Sequence, residues 1–371
     1  MGAYILRRVL LMIPTLLGIM AISFGVIQFA PGGPVEKVIA QLTGTDVSAT
    51  ERFGGGAGGD LLAQNNNANA TAGDAVTSKY RGAQGLDPAF IKKLEKQFGF
   101  DKPPLERFGL MLWNYLRFDF GQSYFRDISV LALIREKMPV SISIGLWLAL
   151  VHYLIAIPLG IRKAVRDGSK FDTWTSVAVV IGYAIPSFLF AILLIVLFAG
   201  GSYWNWFPLR GLTSDYFNQL PWYQKPFDYA WHLVLPLTAM VLSAFATTTL
   251  LTKNSFLDEI RKQYVTTARA KGLTERRVLY GHIFRNAMLI VISGFPGAFI
   301  GVLFGSSLLI ENIFSLDGLG LLSYQALLDR DYPVIFANLY IFSLLGLVVS
   351  LVSDLTYMWV DPRIDFATRE V

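Results

Sequence analysis

The sequence predicts an all-α membrane protein with six transmembrane helices and a helical insertion between the first two. Three observations predict it. First, 53% of the 371 residues are hydrophobic and only 16% are charged, against about 25% charge in an ordinary soluble domain, and mean hydropathy is +0.47. Second, six long stretches carry no Asp, Glu, Lys or Arg: 9–35, 138–161, 173–209, 229–252, 286–310 and 332–353. Each reaches the roughly 20 residues that a helix needs to cross the hydrocarbon core, where only a helix or a closed barrel satisfies its own backbone. Third, the basic residues gather beside alternate ends of these stretches. With 31–137 set aside, one side holds Arg7, Arg8, Arg162, Lys163, Arg166, Lys170, eight cations within 253–285, Arg363 and Arg369. The other holds Arg210, Lys225 and Arg330. Short loops rich in Lys and Arg stay in the cytoplasm, so both termini of this multi-pass chain are expected there.

The first stretch follows Arg7 and Arg8 and far exceeds the 7 to 15 apolar residues of a signal peptide. Gln28-Phe29-Ala30 also lacks the small-x-small cleavage pattern, so 1–30 is expected to be a cytoplasmic N-terminus and an uncleaved first helix. Residues 31–137 form the extracytoplasmic insertion. Within it 54–78 is rich in Gly, Ala and Asn, has little to bury, and is expected to be a mobile loop. Asp87-Pro88 is a helix start, Phe90, Ile91, Leu94 and Phe98 recur at helical spacing, and Gly99 is a stop. Two further helices are expected, from Pro104 to about Arg117 and from Ser129 to Met138. The rest, 138–371, is the core carrying helices 2 to 6. Trp204, Trp206, Trp222, Trp231 and Tyr332 at outer ends, and Trp174 and Trp359 at inner ends, suit the aromatic belts. Pro158, Pro186, Pro236 and Pro296 each interrupt a helical stretch, which a bundle tolerates.

Small residues recur every fourth position in the fifth stretch at Ser293, Gly297, Gly301 and Gly305, which puts them on one helix face and allows close backbone approach. That face fits helix packing within the chain, a subunit interface or a translocation path. Thr247 and Thr248, with Thr249 and Thr252, could line a polar path, although threonines also bond back to their own helix. Asp354, just past the stretch 332–353, is the only acid expected within a span, six residues before its inner end at Val360, and suits a structural partner better than a proton relay. His152 suits a hydrogen bond between helices.

The segment 253–285 carries the densest chemistry. Ser255 followed by Asp258 has the form of a capping box. Phe256, Ile260, Tyr264 and Ala268 fall on one face of a helix expected to end near Lys271. Gly272 suits a left-handed C-cap, and Thr274 with Glu275 restarts a helix. Thr266, Thr267, Ala268 and Ala270 keep one side small, fit for a groove on another protein, with Arg269 and Lys271 as polar rim contacts. The basic count alone fits equally an amphipathic helix on anionic lipid.

The stretch Tyr264-Val-Thr-Thr-Ala-Arg-Ala-Lys-Gly-Leu, followed by His282-Ile-Phe-Arg-Asn-Ala, resembles the coupling loop of permease subunits of binding-protein-dependent ABC importers, in its peptide-importer form. The general signature is Glu-Ala-Ala, three residues, Gly, nine residues, then Ile-x-Leu-Pro. Only Ala268 and Gly272 match it by letter. Thr266 and Thr267 stand at the Glu and first Ala, and His282, Phe284 and Arg285 at the Ile, Leu and Pro, departures typical of peptide permeases. Other landmarks extend the resemblance over nearly the whole chain: Tyr4-Ile-Leu-Arg-Arg, Ala30-Pro-Gly-Gly-Pro, Phe118-Asp-Phe-Gly-Gln-Ser, Glu311-Asn-Ile-Phe-Ser-Leu-Asp-Gly-Leu-Gly, Arg330-Asp-Tyr-Pro and Asp361-Pro-Arg-Ile-Asp. Together they are similar to the B-type permease of oligopeptide and dipeptide importers, nearest its Yej-type branch.

The resemblance implies a type I ABC importer permease fold. It implies a second, homologous permease subunit, cytoplasmic ABC ATPase domains holding ATP and Mg, and a periplasmic peptide-binding protein. The substrate implied is an oligopeptide, with peptide antibiotics of the microcin C kind, moved inward by alternating access. Tyr264, Ala268, Arg269, Lys271, Gly272 and Arg285 are the expected ATPase-coupling residues. The residues themselves agree with a translocation subunit rather than an enzyme. No G-x-x-x-x-G-K-[ST] occurs, so any ATP chemistry belongs to a partner and no cofactor is expected on this chain. There is no Cys and there are three His, which excludes Cys-ligated zinc, a disulfide or a dense His site. An ion-coupled transporter or channel is the rival reading, weakened by the missing intramembrane carboxylate pair. Gly305-Ser306-Ser307-Leu308 lacks the final Gly of a nucleophile elbow. The cations lie beside membrane spans, which argues against nucleic acid and for the lipid bilayer as the partner surface.

Overall fold

The computed structural model describes residues 2–29, 33–42, 88–201, 203–292, 294–295, 297 and 308–360. The low-complexity stretch 54–78, Ser293, Gly301 and Gly305 lie outside the described residues. In chain order the helices are α1 (Gly2–Phe29), α2 (Pro34–Leu42), α3 (Pro88–Gln97), α4 (Pro104–Tyr115), α5 (Val130–Val165), α6 (Lys170–Ala184), α7 (Ser187–Phe198), α8 (Lys225–Ile260), α9 (Gln263–Ala270), α10 (Glu275–Val278), α11 (Phe284–Ala287), α12 (Leu308–Ile313), α13 (Leu319–Asp329) and α14 (Tyr332–Val360). Among the described residues four helices are long and apolar enough to cross a membrane, beginning in α1, α5, α8 and α14, and the α6–α7 pair adds a fifth crossing if it is one span. The stretch 286–310 is only partly described.

Two expectations about helix boundaries are corrected. The separate helix from Ser129 to Met138 does not exist, because it runs without a break into the second span as the 36-residue α5. Pro139 and Pro158 both lie inside that helix, and Pro236 inside α8; each removes one ladder donor without ending the helix. The third stretch, expected as one span, turns by 95° between α6 and α7. Here proline acts as it does in water: Ile185, just before Pro186, is extended at φ −85° and ψ 119°, the conformation that the following ring imposes.

The chain forms two units, one of residues 1–16, 135–322 and 341–371, the other of 17–134 and 323–340. In the first, Ile144 and Leu148 of α5 join Ala191 and Leu194 of α7, Leu233, Ala239 and Met240 of α8, and Ile310 of α12 in one buried cluster. Farther along, α5 and α8 approach so closely that a Cβ on Gly160 would stand 2.6 Å from the Thr252 Cβ and 2.7 Å from the Thr249 carbonyl. Only glycine fits that crossing, and Thr249 and Thr252 are fully buried against it. The same unit holds Glu311, with no exposed surface. Its carboxylate accepts from Ser141 Oγ at 3.2 Å and from the Leu321 N–H at 2.7 Å. It thereby caps the first turn of α13, where anionic groups are favoured. A Cβ on Gly318 or Gly320 would fall within 2.6 and 2.9 Å of that carboxylate, so the two glycines and the acid of the 311–320 motif form one device.

In the second unit Val35 and Ile39 of α2 pack on Leu94 and Phe98 of α3. Gly99 closes α3 at φ +73°, the left-handed value that glycine adopts without a steric penalty. Tyr115, Phe120 and Tyr340 form a ring trio with centroids 4.9, 5.5 and 5.9 Å apart. Asp331 stands immediately before α14, accepts from the Val334 N–H and so caps that helix. Its carboxylate also accepts from Ser123 Oγ and from the Tyr124 N–H at 3.1 Å. The 118–123 and 330–333 motifs, separated by some two hundred residues, therefore meet at one buried carboxylate.

Candidate functional site

The segment 253–285 is built on the ends of α5 and α8. Ser255 is not a helix cap: α8 continues through it to Ile260, and its hydroxyl donates to the Ala287 carbonyl at 2.6 Å. A local capping pattern has lost to a tertiary acceptor. The chain breaks instead at Arg261 and Lys262, the latter extended at φ −76° and ψ 149°, and α9 follows. Its end is a Schellman motif. The Gly272 N–H reaches the Arg269 carbonyl at 2.9 Å and the Leu273 N–H reaches the Ala268 carbonyl at 3.3 Å, with Gly272 at φ +79°. Thr274 is then extended and α10 begins at Glu275. A π-helical turn over Leu279–Ile283 leads into α11.

Burial sorts the expected coupling residues. Val265 and Ala268 of α9, Val278 of α10 and Ile283 pack with Ile161 and Ala164 of α5, Phe256 of α8 and Ala287 of α11. Ala268 thus faces inward, while Thr266, Thr267 and Ala270 on the same helix are exposed. Tyr264 is half-buried and donates to Glu259 Oε2 at 2.8 Å; burial, with Glu259 beside it, pushes its phenol above the ordinary value. Gly272 is exposed, and a Cβ there would meet nothing within 4 Å. Arg269 clamps Glu275 across the turn through two bonds of 2.8 and 3.0 Å. Lys271 and Arg285 are exposed. The result is a short, internally braced helix, glycine turn and helix whose inner face belongs to this chain and whose outer face is small and cationic.

Beneath it lies a charge network that the sequence reading missed. Lys163, grouped there with the loop cations, has no exposed surface. Its Nζ meets the Asp172 carboxylate at 2.9 Å and donates to the Asp172 carbonyl, Thr175 Oγ1 and Ser176 Oγ at 2.9, 3.0 and 2.6 Å. The other Asp172 oxygen takes Lys253 of α8 at 2.7 Å, and Lys253 also meets Asp167 at 2.9 Å. One carboxylate therefore ties α5, α6 and α8. The available signal was Ser169-x-x-Asp172, a capping pattern in which the Ser169 side chain does accept from the Asp172 N–H at 3.2 Å.

Of the expected packing or path residues, Thr247, Thr248 and Gly297 are among the described residues. Thr248 Oγ1 lies 2.8 Å from His152 Nε2, Thr247 is exposed, and Thr249 and Thr252 are buried at the Gly160 crossing. Gly297 is exposed with open space beside it. Asp354 accepts from Arg8 at 2.6 Å and from the Tyr4 hydroxyl at 2.9 Å, an ion pair between α1 and α14 that also accounts for the opening Tyr4-Ile-Leu-Arg-Arg motif.

The chain is mostly apolar and helical, and this braced helical turn follows directly on the α8 span. Residues 156–366 match the family described as "Binding-protein-dependent transport system inner membrane component", and the chain belongs to that family of multi-pass inner-membrane proteins. It is 69% identical over 371 residues, all of both chains, to the "Peptidoglycan transport system permease protein YejB" of Agrobacterium fabrum. It is 57% identical over 369 residues, again all of both chains, to the "Inner membrane ABC transporter permease protein YejB" of Escherichia coli O157:H7. With the "Oligopeptide transport system permease protein AppB" of Bacillus subtilis it shares 33% identity, covering 99% of this chain and 100% of that one.

Proposed function

We propose that this chain is the translocating subunit of an ATP-driven importer that carries oligopeptides from periplasm to cytoplasm by alternating access. Its partners are a second, homologous permease subunit, ABC ATPase domains that bind ATP and Mg, and a periplasmic peptide-binding protein. The observation that carries the reading is the turn at Gly272. It sits at φ +79° between α9 and α10, exposed, with Thr266, Thr267 and Ala270 beside it and Ala268 anchoring it to α5 and α8. An outer face of small residues suits insertion into a groove on an ATPase, and an inner face locked to two membrane helices suits transmission of its movement. Both termini and the 253–285 segment are then cytoplasmic, which the distribution of cations supports. Relatives named for oligopeptide and for peptidoglycan transport support a peptide cargo, and peptide antibiotics of the microcin C kind fall within that class. The ion-coupled alternative gains nothing from Asp354, which Arg8 already neutralises. The test is purification of the tagged chain from native membranes in mild detergent. A related permease and an ATPase should accompany it, and ATP turnover should rise with peptide and binding protein. A chain that stays alone, with uptake following the proton gradient, would overturn the reading.

A further inference from the structure

One face of α8 carries a groove in two adjoining parts. Towards the start of the helix it measures about 470 Å³ and is lined by Phe227, Asp228 and Trp231, with Tyr216 and Gln224 before them. Farther along it measures about 340 Å³ and lies between Leu237, Val241, Leu242 and Phe245 of α8 and Val151 and Ile155 of α5. Val234 lines both parts. Their chemistry differs. The first is aromatic and polar: Tyr216, Phe227 and Trp231 are 57, 77 and 50% exposed. Trp231 is held by Phe207, with ring centres 4.5 Å apart, and by its indole N–H, which donates to the Trp206 carbonyl at 3.1 Å. Asp228 accepts from Ser214 through both oxygens. Among the described residues no Lys or Arg pairs with it, and His232 Nδ1 stands 3.8 Å away. The neighbouring Lys225 lies instead over the Phe217 ring, 5.4 Å from its centre. The second part is apolar throughout, since the hydroxyl of Thr238 in its lining donates back to the Val234 carbonyl at 2.6 Å.

We propose that this groove holds one phospholipid with an ammonium headgroup, the headgroup among Tyr216, Phe227 and Trp231 and one acyl chain between α5 and α8. Both helices are long and apolar enough to cross a membrane. From Val234 to Phe245 α8 rises about 16 Å, half of a hydrocarbon core about 30 Å thick, so the apolar part is as long as the chains of one leaflet. A helix of another protein fits it less well. Helices are about 10–12 Å wide and pack in membranes through Gly, Ala, Ser and Thr, of which the apolar part offers Thr238 alone. A tail is as apolar in the bilayer as in the groove, so selection rests on the head end. There an ammonium meets ring faces and the charge of Asp228, while Gln224 and Tyr216 can donate to the phosphate. Residues 203–231 hold Arg210 and Lys225 against Asp215 and Asp228. That balance suits a zwitterion and gives an anionic headgroup no surplus cation. The site needs neither ATP nor a second subunit, so it stands apart from the importer reading.

The experiment reconstitutes the full chain in vesicles of phosphatidylethanolamine and phosphatidylglycerol, with a photoreactive diazirine on an acyl chain of one lipid or the other, and locates the adducts by peptide mass spectrometry. Labelled phosphatidylethanolamine should mark 234–245 about five-fold more strongly than labelled phosphatidylglycerol, the scale of one exposed cation–π contact. Both lipids should mark the exposed Val177, Val180 and Ile181 of α6 equally. Val234→Trp, which fills the junction, should remove the excess at 234–245 and leave the α6 adducts unchanged, and Trp231→Leu should reduce that excess. Equal marking of the groove by the two lipids would reduce it to ordinary bilayer contact. An unmarked groove beside a marked α6 would mean that another protein segment covers it. Either result, read on the unaltered chain, would overturn the proposal.

Discussion

The 253–285 segment and the 88–134 segment both hold short helices in place, and they do so with opposite materials. The first rests on an apolar inner face, with Val265, Ala268 and Val278 against Phe256 and Ile161, braced by charge and backbone geometry: Lys163, Asp172 and Lys253 tie three helix ends, and Gly272 reverses the chain at φ +79°. The second rests on rings and one carboxylate, with Tyr115, Phe120 and Tyr340 in contact and Asp331 joining Ser123 and Tyr124 to the cap of α14. A braced turn with an exposed small face can be gripped and moved as a body. An aromatic assembly beside a buried carboxylate instead fixes α4 to α14. Apolar packing braced by charge leaves the outer face of the Gly272 turn exposed, whereas the stacked rings spend their surface on one another.

The comparison breaks most visibly at Asp172. Asp172→Ala strands Lys163, whose side chain has no exposure, and removing one partner of a buried pair costs about 3–5 kcal/mol. A thermal melt in detergent should fall accordingly, and an unchanged melt would mean that the network is not a tie. Gly272→Trp should abolish peptide-stimulated ATP turnover while the chain still inserts, because the left-handed position costs an L-residue only about 1–2 kcal/mol and the bulk projects outward. Turnover at the original rate would remove the turn from the coupling role.

Asp331 sharpens the other half. Burial raises its carboxyl above the ordinary value of 3.8, against the lowering effect of Ser123. A raised folded value means that the native state holds the proton more tightly than the unfolded chain does. The stability contributed is therefore complete below about pH 3.8 and is lost as pH rises through the higher folded value. Asp331→Asn should flatten that slope in melts taken across this range, with a change of about 1 kcal/mol at neutral pH. The smallest effect is expected at Arg269→Ala. Its pair with Glu275 is exposed on both sides, and such pairs are worth about 0.2–1 kcal/mol, so the melt should barely move.

Much of the fold was legible because the membrane imposes a simple rule. Among the described residues, α1, α5, α8 and α14 lie where charge-free stretches of 22 residues or more fall. The bend at Pro186 was legible in principle, since the residue before a proline resists helix, yet Pro139, Pro158 and Pro236 carry the same letter inside unbroken helices. What separates them is tertiary support, which no local pattern contains. The Gly272 turn could be read because a Schellman motif is local. Ser255 misled because its acceptor, the Ala287 carbonyl, is 32 residues away. Lys163 was hidden for a related reason, its partner arriving only when α6 folds back. The buried acids Glu311 and Asp331 stood in motifs quoted from the sequence, but their tasks as internal helix caps required Ser141 and Ser123 to be brought to them.

The proposed function places the outer face of the Gly272 turn on an ATPase. The chain has no cysteine, so Lys271→Cys introduces a unique thiol at the rim of the turn. In native membranes a short thiol-reactive cross-linker should join this position to an ATPase subunit, and ATP should change the yield. Cross-linking only to lipid-directed reagents, with no ATPase adduct under any nucleotide condition, would contradict the account.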